Sequence, residues 1–291
     1  MVFSKSYEII ENPPAPMDWD TYNKYLMAKF NSLLTSEGDN EKTFQLFLEQ
    51  HPCIIPGPFC LLGHSGHYPF GGTVISQPEL TGLTNRIPDF MWIACDSGTI
   101  YPVLIEIEAP NKPYFTRLGK PSDKLIQALD QLTEWKTWFS NPKHQLLFYD
   151  LYRIPESFRW GKSLRPVYLL IYGRRSEFEN TRRLSEKRSQ LQRDNEFIMS
   201  FDRLYPEYSA RYLLCSTVKG GEYMAKTIPP TLELGPNLAE YHSMIANKEN
   251  AAKRNLLLSD ERKEFLINRF LYWDEYGKLP QKGLMNTGDT E

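Results

Sequence analysis

The segment from Arg86 to Glu108 constrains the fold more than any other part of the chain. Both of its halves are rich in apolar and β-branched residues, and Asp96-Ser97-Gly98 between them supplies the residues that tight turns require. We therefore predict an antiparallel hairpin whose strands are Arg86–Ala94 and Thr99–Glu108. The turn also sets the register, because it decides which residues of the two strands face each other.

The sequence on either side of this hairpin predicts a sheet with helices packed on it. The near-continuous apolar run Pro166–Gly173 is typical of a central buried strand. Shorter strands are predicted at Phe59–Leu62, Thr73–Gln77 and Tyr212–Thr217. Apolar spacing and capping residues predict helices at Asp18–Leu34, Asn40–Gln50, Ser122–Phe139, Asn180–Gln192, Asn237–Asn247 and Ser259–Trp273. This order of elements predicts an α/β (α+β) fold with a mixed central sheet flanked by helices.

The charge of the chain argues against a passive nucleic-acid coat protein, since its formal net charge is −2. The charge is unevenly distributed, because residues 153–193 hold eleven Lys or Arg and four Asp or Glu. A basic segment downstream of acidic residues suits an enzyme that binds phosphates and holds a cation. A solvated helix face would give the same count, and this alternative stays open.

The sequence shows no signal for secretion or for a membrane. The N-terminus lacks the apolar core of a signal peptide, and no apolar run reaches the length of a membrane span. The four cysteines form no CxxC pair, so we expect a cytoplasmic protein with free thiols. A zinc site built from Cys60, His64 and His67 is less favoured, because Gly, Ser and Pro surround these residues.

Three carboxylates converge on the predicted hairpin. With the turn centred after Ser97, Asp89 lies directly opposite Glu106. Glu108 follows on the same face, and the alternate residues of Val103–Ile107 point to the opposite face, which we expect to be core. Facing carboxylates repel each other, and a structure tolerates them when a cation such as Mg²⁺ lies between them. The alternative is that all three face solvent on a half-exposed hairpin.

These residues resemble the signature of restriction-type nucleases of the PD-(D/E)XK superfamily. Ile87-Pro88-Asp89-Phe90, a short hairpin and Ile105-Glu106-Ile107-Glu108 follow its order of motifs. Gln127 and Gln131 lie one helical turn apart and share a face, which is similar to the glutamine-containing helix of many such nucleases.

More narrowly, the chain resembles the Shedu anti-phage defence proteins from about Glu41 to Tyr205. The matching stretches are Phe-Leu-Glu-Gln-His-Pro at 47–52, Pro-Asp-Phe at 88–90, Glu-Ile-Glu-Ala-Pro at 106–110, Tyr-Gly-Arg-Arg at 172–175 and Phe-Asp-Arg-Leu at 201–204. The resemblance implies a restriction-endonuclease-like core in a homo-oligomer, a dimer or tetramer, that cuts double-stranded phage DNA with Mg²⁺ or, as a substitute, Mn²⁺.

We accordingly divide the chain into four parts. An N-terminal helical lead-in covers residues 1–38, and the nuclease domain covers 39–218. A C-terminal helical extension is expected at 219–278, followed by a disordered tail at 279–291.

The resemblance implies a role for each acidic residue. Asp89 and Glu106 are expected to hold Mg²⁺, with the backbone carbonyl of Ile107 as a further ligand. Glu108 replaces the usual lysine of the motif, and we expect it to act as a general base or to bind a second ion. Glu41 matches the acidic residue on the first helix of the superfamily, although a glutamate that simply favours the helix dipole is an equal alternative.

Further residues are expected to contact the substrate. Gln127 would orient the phosphate or Glu108, with Gln131 as the weaker candidate, and Lys124 would supply part of the missing lysine's charge. Phosphate contacts are expected from Arg174, Arg175, Arg182 and Arg183. For the first two of these arginines, exposed strand-end charges without a ligand are the alternative.

Other functions compete with that of a nuclease. A non-catalytic DNA-binding or sensing subunit would keep the fold and bind DNA without metal-dependent cleavage. A two-carboxylate glycoside hydrolase is less favoured, because such sites lie in larger barrels or clefts lined with aromatic residues. A purely structural role would leave Asp89 facing Glu106 without an explanation.

The assembly prediction rests on the aromatic-rich segment Phe265–Trp273. A helix that is apolar over so much of its circumference is covered either by its own chain or by a partner. We expect a partner subunit to cover it, because the segment lies beyond the nuclease core.

Overall fold

The chain folds as predicted, into a mixed β-sheet with helices on both faces. The computed structural model describes residues 5–57, 59–61, 68–82 and 87–291. The strands of this described part are β1 (Thr73–Ser76), β2 (Phe90–Cys95), β3 (Thr99–Ile107), β4 (Ser163–Leu164), β5 (Val167–Ile171), β6 (Glu196–Met199), β7 (Leu214–Lys219), β8 (Glu222–Thr227) and β9 (Ile245–Ala246). Its α-helices are α1 (Trp19–Ser36), α2 (Glu41–Gln50), α3 (Asp123–Ser140), α4 (Pro142–Leu151), α5 (Glu156–Arg159), α6 (Arg182–Gln190), α7 (Pro236–His242), α8 (Lys248–Arg254) and α9 (Asp260–Lys278).

The strands form one sheet in which β3 is central. Their order is β6-β5-β3-β2-β1-β7-β8-β9, with β4 beside β3. β3 pairs antiparallel with β2 and parallel with β5, and β1 is also antiparallel to β2. The carboxyl ends of β1, β3 and β5 therefore lie at one edge of the sheet. Open α/β sheets bind their ligands at this edge, so a functional site is expected there.

The predicted register of the hairpin is confirmed. Phe90 lies opposite Ile105, and Cys95 lies opposite Ile100. The Asp96 carboxylate fixes the turn, because it accepts hydrogen bonds from the N–H groups of Gly98 and Thr99 at 2.8 and 2.7 Å. Arg86, the predicted first residue of the hairpin, lies outside the described residues.

β3 is buried on both faces. Val103 and Ile105 belong to the apolar cluster that includes α1 and α2, and Leu104 belongs to the cluster that includes α3. The core face predicted for Val103 and Ile105 is confirmed. The opposite face is covered as well, because helices pack on both sides of the sheet. The solvent-facing alternative for Glu106 is therefore wrong.

Side-chain caps begin the two helices that flank the candidate site. The Asn40 side chain accepts from the Thr43 N–H at 3.3 Å at the start of α2. The Ser122 hydroxyl accepts from the Leu125 N–H at 3.1 Å at the start of α3. Both caps are the ones that the sequence predicts.

Some predicted elements differ from the structure. Residues 59–61 form a turn rather than the strand predicted at Phe59–Leu62, and Leu62 lies outside the described residues. The helix predicted at Asn237–Asn247 is interrupted, because α7 ends at His242 and residues 245–246 pair with β8. Asn247 then adopts the left-handed conformation with a φ of 65° and caps α8.

The expectation that a partner covers the apolar side of α9 was wrong for the residues that form it. Leu266, Phe270, Trp273 and Tyr276 are buried within their own chain. The ring of Tyr7, near the N-terminus, lies 5.9 Å from that of Trp273. Periodicity correctly indicates burial, but it does not indicate what covers the helix.

The C-terminal part of the chain contributes to the same sheet. Strands β8 and β9 lie within residues 219–278, for which the sequence predicts helices. The segment 279–291, for which the sequence predicts disorder, ends at Glu291, whose buried carboxylate accepts hydrogen bonds from Arg269 and Trp273. No helix among the described residues has the length and apolar character needed to cross a membrane.

Candidate active site

Asp89 lies where β3 extends past the start of β2. β2 begins at Phe90, opposite Ile105, so the backbone of Ile107 reaches beyond its neighbour. The Asp89 N–H donates to the carbonyl oxygen of Ile105 at 3.0 Å, and its Oδ2 accepts from the N–H of Ile107 at 2.9 Å. A backbone donor without a strand partner needs another acceptor. These two bonds hold the Asp89 carboxylate beside Glu106.

Glu106 lies in a buried position on the face of β3 that packs against α3. Only 8 % of the residue is exposed. Its Oε2 has no hydrogen-bond partner among the described residues. A buried carboxylate oxygen without a partner is costly, and a cation or a proton would satisfy it.

Burial and neighbouring negative charges raise the pKa of both carboxyl groups. Burial raises the pKa of Asp89 from 3.8 to about 7, and the charge of Glu41 adds to this effect. For Glu106, burial and then the charges of Asp89 and Glu41 raise the pKa well above its usual range. The charge of Lys112 and the side chain of Gln131 lower the pKa of Glu106. Such strongly perturbed neighbours are typical of functional sites.

These shifts predict how stability depends on pH in the metal-free protein. The folded state binds the Asp89 proton more tightly than the unfolded chain does, so this contribution to stability is present near pH 4 and is lost as the pH rises through about 7. Between pH 4 and 8, the contribution of Asp89 to the free energy of unfolding of the unchanged protein should therefore fall by about 2–4 kcal/mol. The variant Asp89→Asn cannot ionise at this position, so it should not show this decrease. Thermal denaturation in EDTA measures the effect.

The comparison between the two proteins removes the contributions of titrating groups that do not interact with Asp89. Burial lowers the pKa of His51 to about 4, which makes the protein more stable as the pH rises through this range toward 6.5. This opposite contribution is common to both proteins and cancels in their difference. Asp260→Asn, at a fully exposed side chain, is the matched control. Equal pH profiles for Asp89→Asn and the unchanged protein would contradict the prediction.

Lys112 places a positive charge at the end of β3, beside Glu108. Its Nζ forms ion pairs with the carboxylates of Glu108 and Glu41, the second at 3.0 Å. A turn closed by the Lys112 N–H and the Ala109 carbonyl oxygen, at 3.1 Å, returns the side chain to the end of β3. The sequence prediction missed Lys112 and assigned this charge to Lys124, which is exposed on α3.

Helix α2 adds polar side chains along one face, since Glu41, Gln45 and Glu49 are one turn apart. Glu41 lies at the site, as its ion pair with Lys112 shows. Glu49 is buried and accepts from Ser76 at 2.6 Å and from a lysine of β8 at 2.5 Å. Gln45 is also buried, and its Nε2 has no partner within the described part of the chain.

The structure reverses the order of preference that the sequence predicts for the two glutamines of α3 as site residues. Gln131 is half-buried, and its side chain lies close enough to Glu106 to lower the pKa of that carboxyl group, whereas Gln127 is exposed. Both glutamines lie on one broad face of α3, but Gln131, which is one turn further along, lies against the centre of the sheet. Gln131 is therefore the glutamine that lies beside a carboxylate of the candidate site.

The predicted DNA-binding arginines fall into two groups. Arg174 and Arg182 are ion-paired, with Asp202 at 2.8 Å and with Glu186 at 2.7 Å. Arg175 and Arg183 are exposed and form no ion pair with a described residue. The Glu108 N–H donates to the carbonyl oxygen at the end of β5, so Arg174 and Arg175 follow a strand that ends beside the site. Arg182 and Arg183 lie on α6.

The cysteines are free, as the sequence predicts. Of the alternative zinc ligands, Cys60 is exposed, and His64 and His67 lie outside the described residues.

The residues at the sheet edge fit Mg²⁺ better than a metal with an all-protein ligand set. Among the described residues, no group of three His, Cys, Asp or Glu side chains could hold a metal ion. Asp89 and Glu106 offer two carboxylates, and Mg²⁺ is commonly bound by one or two carboxylates together with water and substrate phosphates. The unpartnered Oε2 of Glu106 is the observation that supports this fit.

Comparison with known proteins places these residues in one family. The family model described as Shedu protein SduA, C-terminal, matches residues 38–205, more than half of the chain. The matched region contains α2 to α6, β1 to β6 and the candidate site residues. A comparison with curated proteins gave no match.

Proposed function

Since the chain belongs to the Shedu family, we propose that it is a Mg²⁺-dependent endodeoxyribonuclease of anti-phage defence. Its substrate is double-stranded phage DNA, and it acts as a homo-oligomer, because breaking both strands of a duplex takes two sites related by symmetry. The reaction adds water across one P–O bond of the backbone and leaves a phosphomonoester and a hydroxyl group.

One observation carries this proposal. Asp89 and Glu106 are held side by side at the carboxyl edge of the sheet, with raised pKa values and one buried carboxylate oxygen that has no described partner. A structural role would favour a neutral or paired side chain at such a place, because buried like charges destabilise the fold. A divalent cation at this position would offset the repulsion.

The neighbouring residues suit phosphodiester hydrolysis. Bound Mg²⁺ would polarise the phosphoryl oxygen and lower the pKa of a water molecule. Glu41 and Glu108 hold Lys112 as a cation at the site, where its charge stabilises the negative charge that develops on the phosphate. Gln131, whose side chain lowers the pKa of Glu106, is the glutamine placed to orient that carboxylate.

A cleavage assay on supercoiled and on linear DNA, with Mg²⁺ or with EDTA, tests the proposal. We expect nicked and linear products in Mg²⁺ and none in EDTA. A protein that binds both DNA forms but cuts neither, in Mg²⁺ or in Mn²⁺, would instead be a non-catalytic DNA-binding or sensing subunit. Anisotropy of labelled DNA supplies the binding measurement.

The free arginines should contribute to DNA affinity through phosphates. Arg175→Glu and Arg183→Glu are each expected to weaken binding to all sequences alike, because phosphate contacts carry no sequence information. Each lost contact should also reduce the slope of log affinity against log salt concentration by about 1. Binding titrations at several salt concentrations measure both effects.

The matched control for these arginines is Lys253→Glu, which reverses an exposed charge on α8, far along the sheet from β5. It should leave the salt slope unchanged. An unchanged slope in the two arginine variants would place the DNA path on another surface.

A further inference from the structure

A turn at 115–121 presents an apolar side chain at its tip. Leu118 is 80 % exposed, whereas Phe115, at the base of the turn, is buried. Phe115 and Pro121 close the turn with an antiparallel β-bridge. Single exposed apolar residues are common on protein surfaces, so exposure alone assigns no role to Leu118.

Hydrogen bonds hold this turn in one shape. The Thr116 N–H donates to the carbonyl oxygen of Lys120 at 2.7 Å, and the Gly119 N–H donates to that of Thr116 at 2.8 Å. From helix α6, the Lys187 Nζ donates to the Gly119 carbonyl oxygen at 2.7 Å. A tip that is ordered before binding loses little conformational entropy when it meets a partner.

The chain segment around Leu118 is basic. Residues 112–124 hold four basic residues and one acidic residue, Asp123. Arg117 and Lys120 flank the leucine, and both are exposed. Neither forms an ion pair with any residue that the structure describes. A DNA duplex has phosphates on its outside and stacked bases inside. The positive charges of the turn are complementary to the phosphates, and its apolar tip is complementary to the bases.

The turn also lies close to the candidate site. Leu118 lies six positions after Lys112, which contacts Glu108. An extended chain of that length spans about 20 Å at most. Since one base step of a strand rises about 3.4 Å, a duplex whose cleaved bond lies beside Lys112 would pass Leu118 within roughly six base pairs of that bond.

We propose that the 115–121 turn is a DNA wedge, which inserts Leu118 between stacked base pairs beside the cleavage site. Arg117 and Lys120 contact the phosphates on either side. Apolar wedges of this kind unstack a base step and bend the duplex, and the added contacts offset the cost. The inference rests on the proposed nuclease function, and it adds how the duplex is deformed before it is cut.

Permanganate footprinting tests the wedge, because permanganate oxidises unstacked thymines at any position of a duplex. The protein carries Asp89→Asn so that the DNA stays intact, and anisotropy measures binding in parallel. Leu118→Ser is compared with Leu271→Ser, which alters a leucine of α9 that is 66 % exposed. Both sites are on the surface, so neither change should unfold the protein.

We expect excess thymine oxidation within about six base pairs of the mapped cleavage position. Leu118→Ser should reduce this excess to the level of free duplex and keep the salt dependence of binding, while Leu271→Ser should keep both. DNA that is bound without any excess oxidation, or an excess that survives in Leu118→Ser, would overturn the wedge and leave the nuclease proposal standing. No binding to DNA by any of the proteins would overturn both.

Light scattering separates the wedge from a protein contact. If Leu118→Ser lowers the molar mass of the protein and leaves the oxidation pattern intact, Leu118 contacts another protein chain and the wedge is overturned. An unchanged mass together with a lost oxidation pattern supports the wedge.

Discussion

Asp89→Asn is expected to abolish Mg²⁺-dependent DNA cleavage and to leave the protein folded. The amide cannot supply the negative oxygen that a divalent cation needs, and loss of several kcal/mol of transition-state stabilisation slows the reaction about a thousandfold or more. The Oδ1 of asparagine still accepts the hydrogen bond from the Ile107 N–H. Asp89→Ala should be equally inactive, but it leaves that backbone donor without its acceptor.

Glu106→Gln should lose as much activity, because Glu106 is the second carboxylate of the pair. A shift of the melting temperature with Mg²⁺ separates loss of the metal from loss of the fold, since a ligand that binds only the folded state stabilises it. We expect the shift in the unchanged protein and in Asp260→Asn, and none in Asp89→Asn or Glu106→Gln. Cleavage at the original rate by either site variant would show that the metal centre lies elsewhere.

Local patterns in the sequence predict much of the scaffold of this site. Asp96-Ser97-Gly98 fixes the hairpin register, and the register alone places Asp89 opposite Glu106. Ser122 and Asn40 cap helices whose apolar spacing is clear. Each of these features depends on residues that are close in sequence, and such interactions are the ones that a sequence pattern records.

The missed features depend on parts of the chain that meet only in the folded protein. Gln127 and Gln131 look equivalent on a helical projection, and only the placement of α3 over β3 makes Gln131 the contact of Glu106. In the sequence, Arg174 is a charged residue at a strand end with no evident partner, but in the folded protein it forms an ion pair with Asp202. The apolar stripe of α9 predicts burial, but the chain segments that cover it, including Tyr7, are distant in sequence.

The sequence prediction also missed Lys112, whose pairing with Glu41 forms only in the folded protein, and this residue leads to the second large expected effect. Lys112→Ala should reduce the cleavage rate by about a hundredfold to a thousandfold, because it removes a preorganised charge from the reacting phosphate. The shift of the melting temperature with Mg²⁺ should remain, since Asp89 and Glu106 are unchanged. Lys263→Ala, which breaks an ion pair with Asp260 on α9, is the control and should cut at the original rate.

Exchange of the two partners distinguishes the lysine from the glutamate as the acting group. Glu108→Lys combined with Lys112→Glu preserves an ion pair and puts lysine at the usual position of the motif. If the positive charge stabilises the transition state, this double variant should cut faster than Lys112→Ala. Glu108→Gln alone should also lose less activity than Lys112→Ala, because Glu41 still holds the lysine.

If Glu108 is instead a general base or a ligand of a second ion, Glu108→Gln should be the most damaging change, and Lys112→Ala should cut at nearly the original rate. Single-turnover rates at saturating Mg²⁺ compare the four proteins directly, because they report the chemical step without product release.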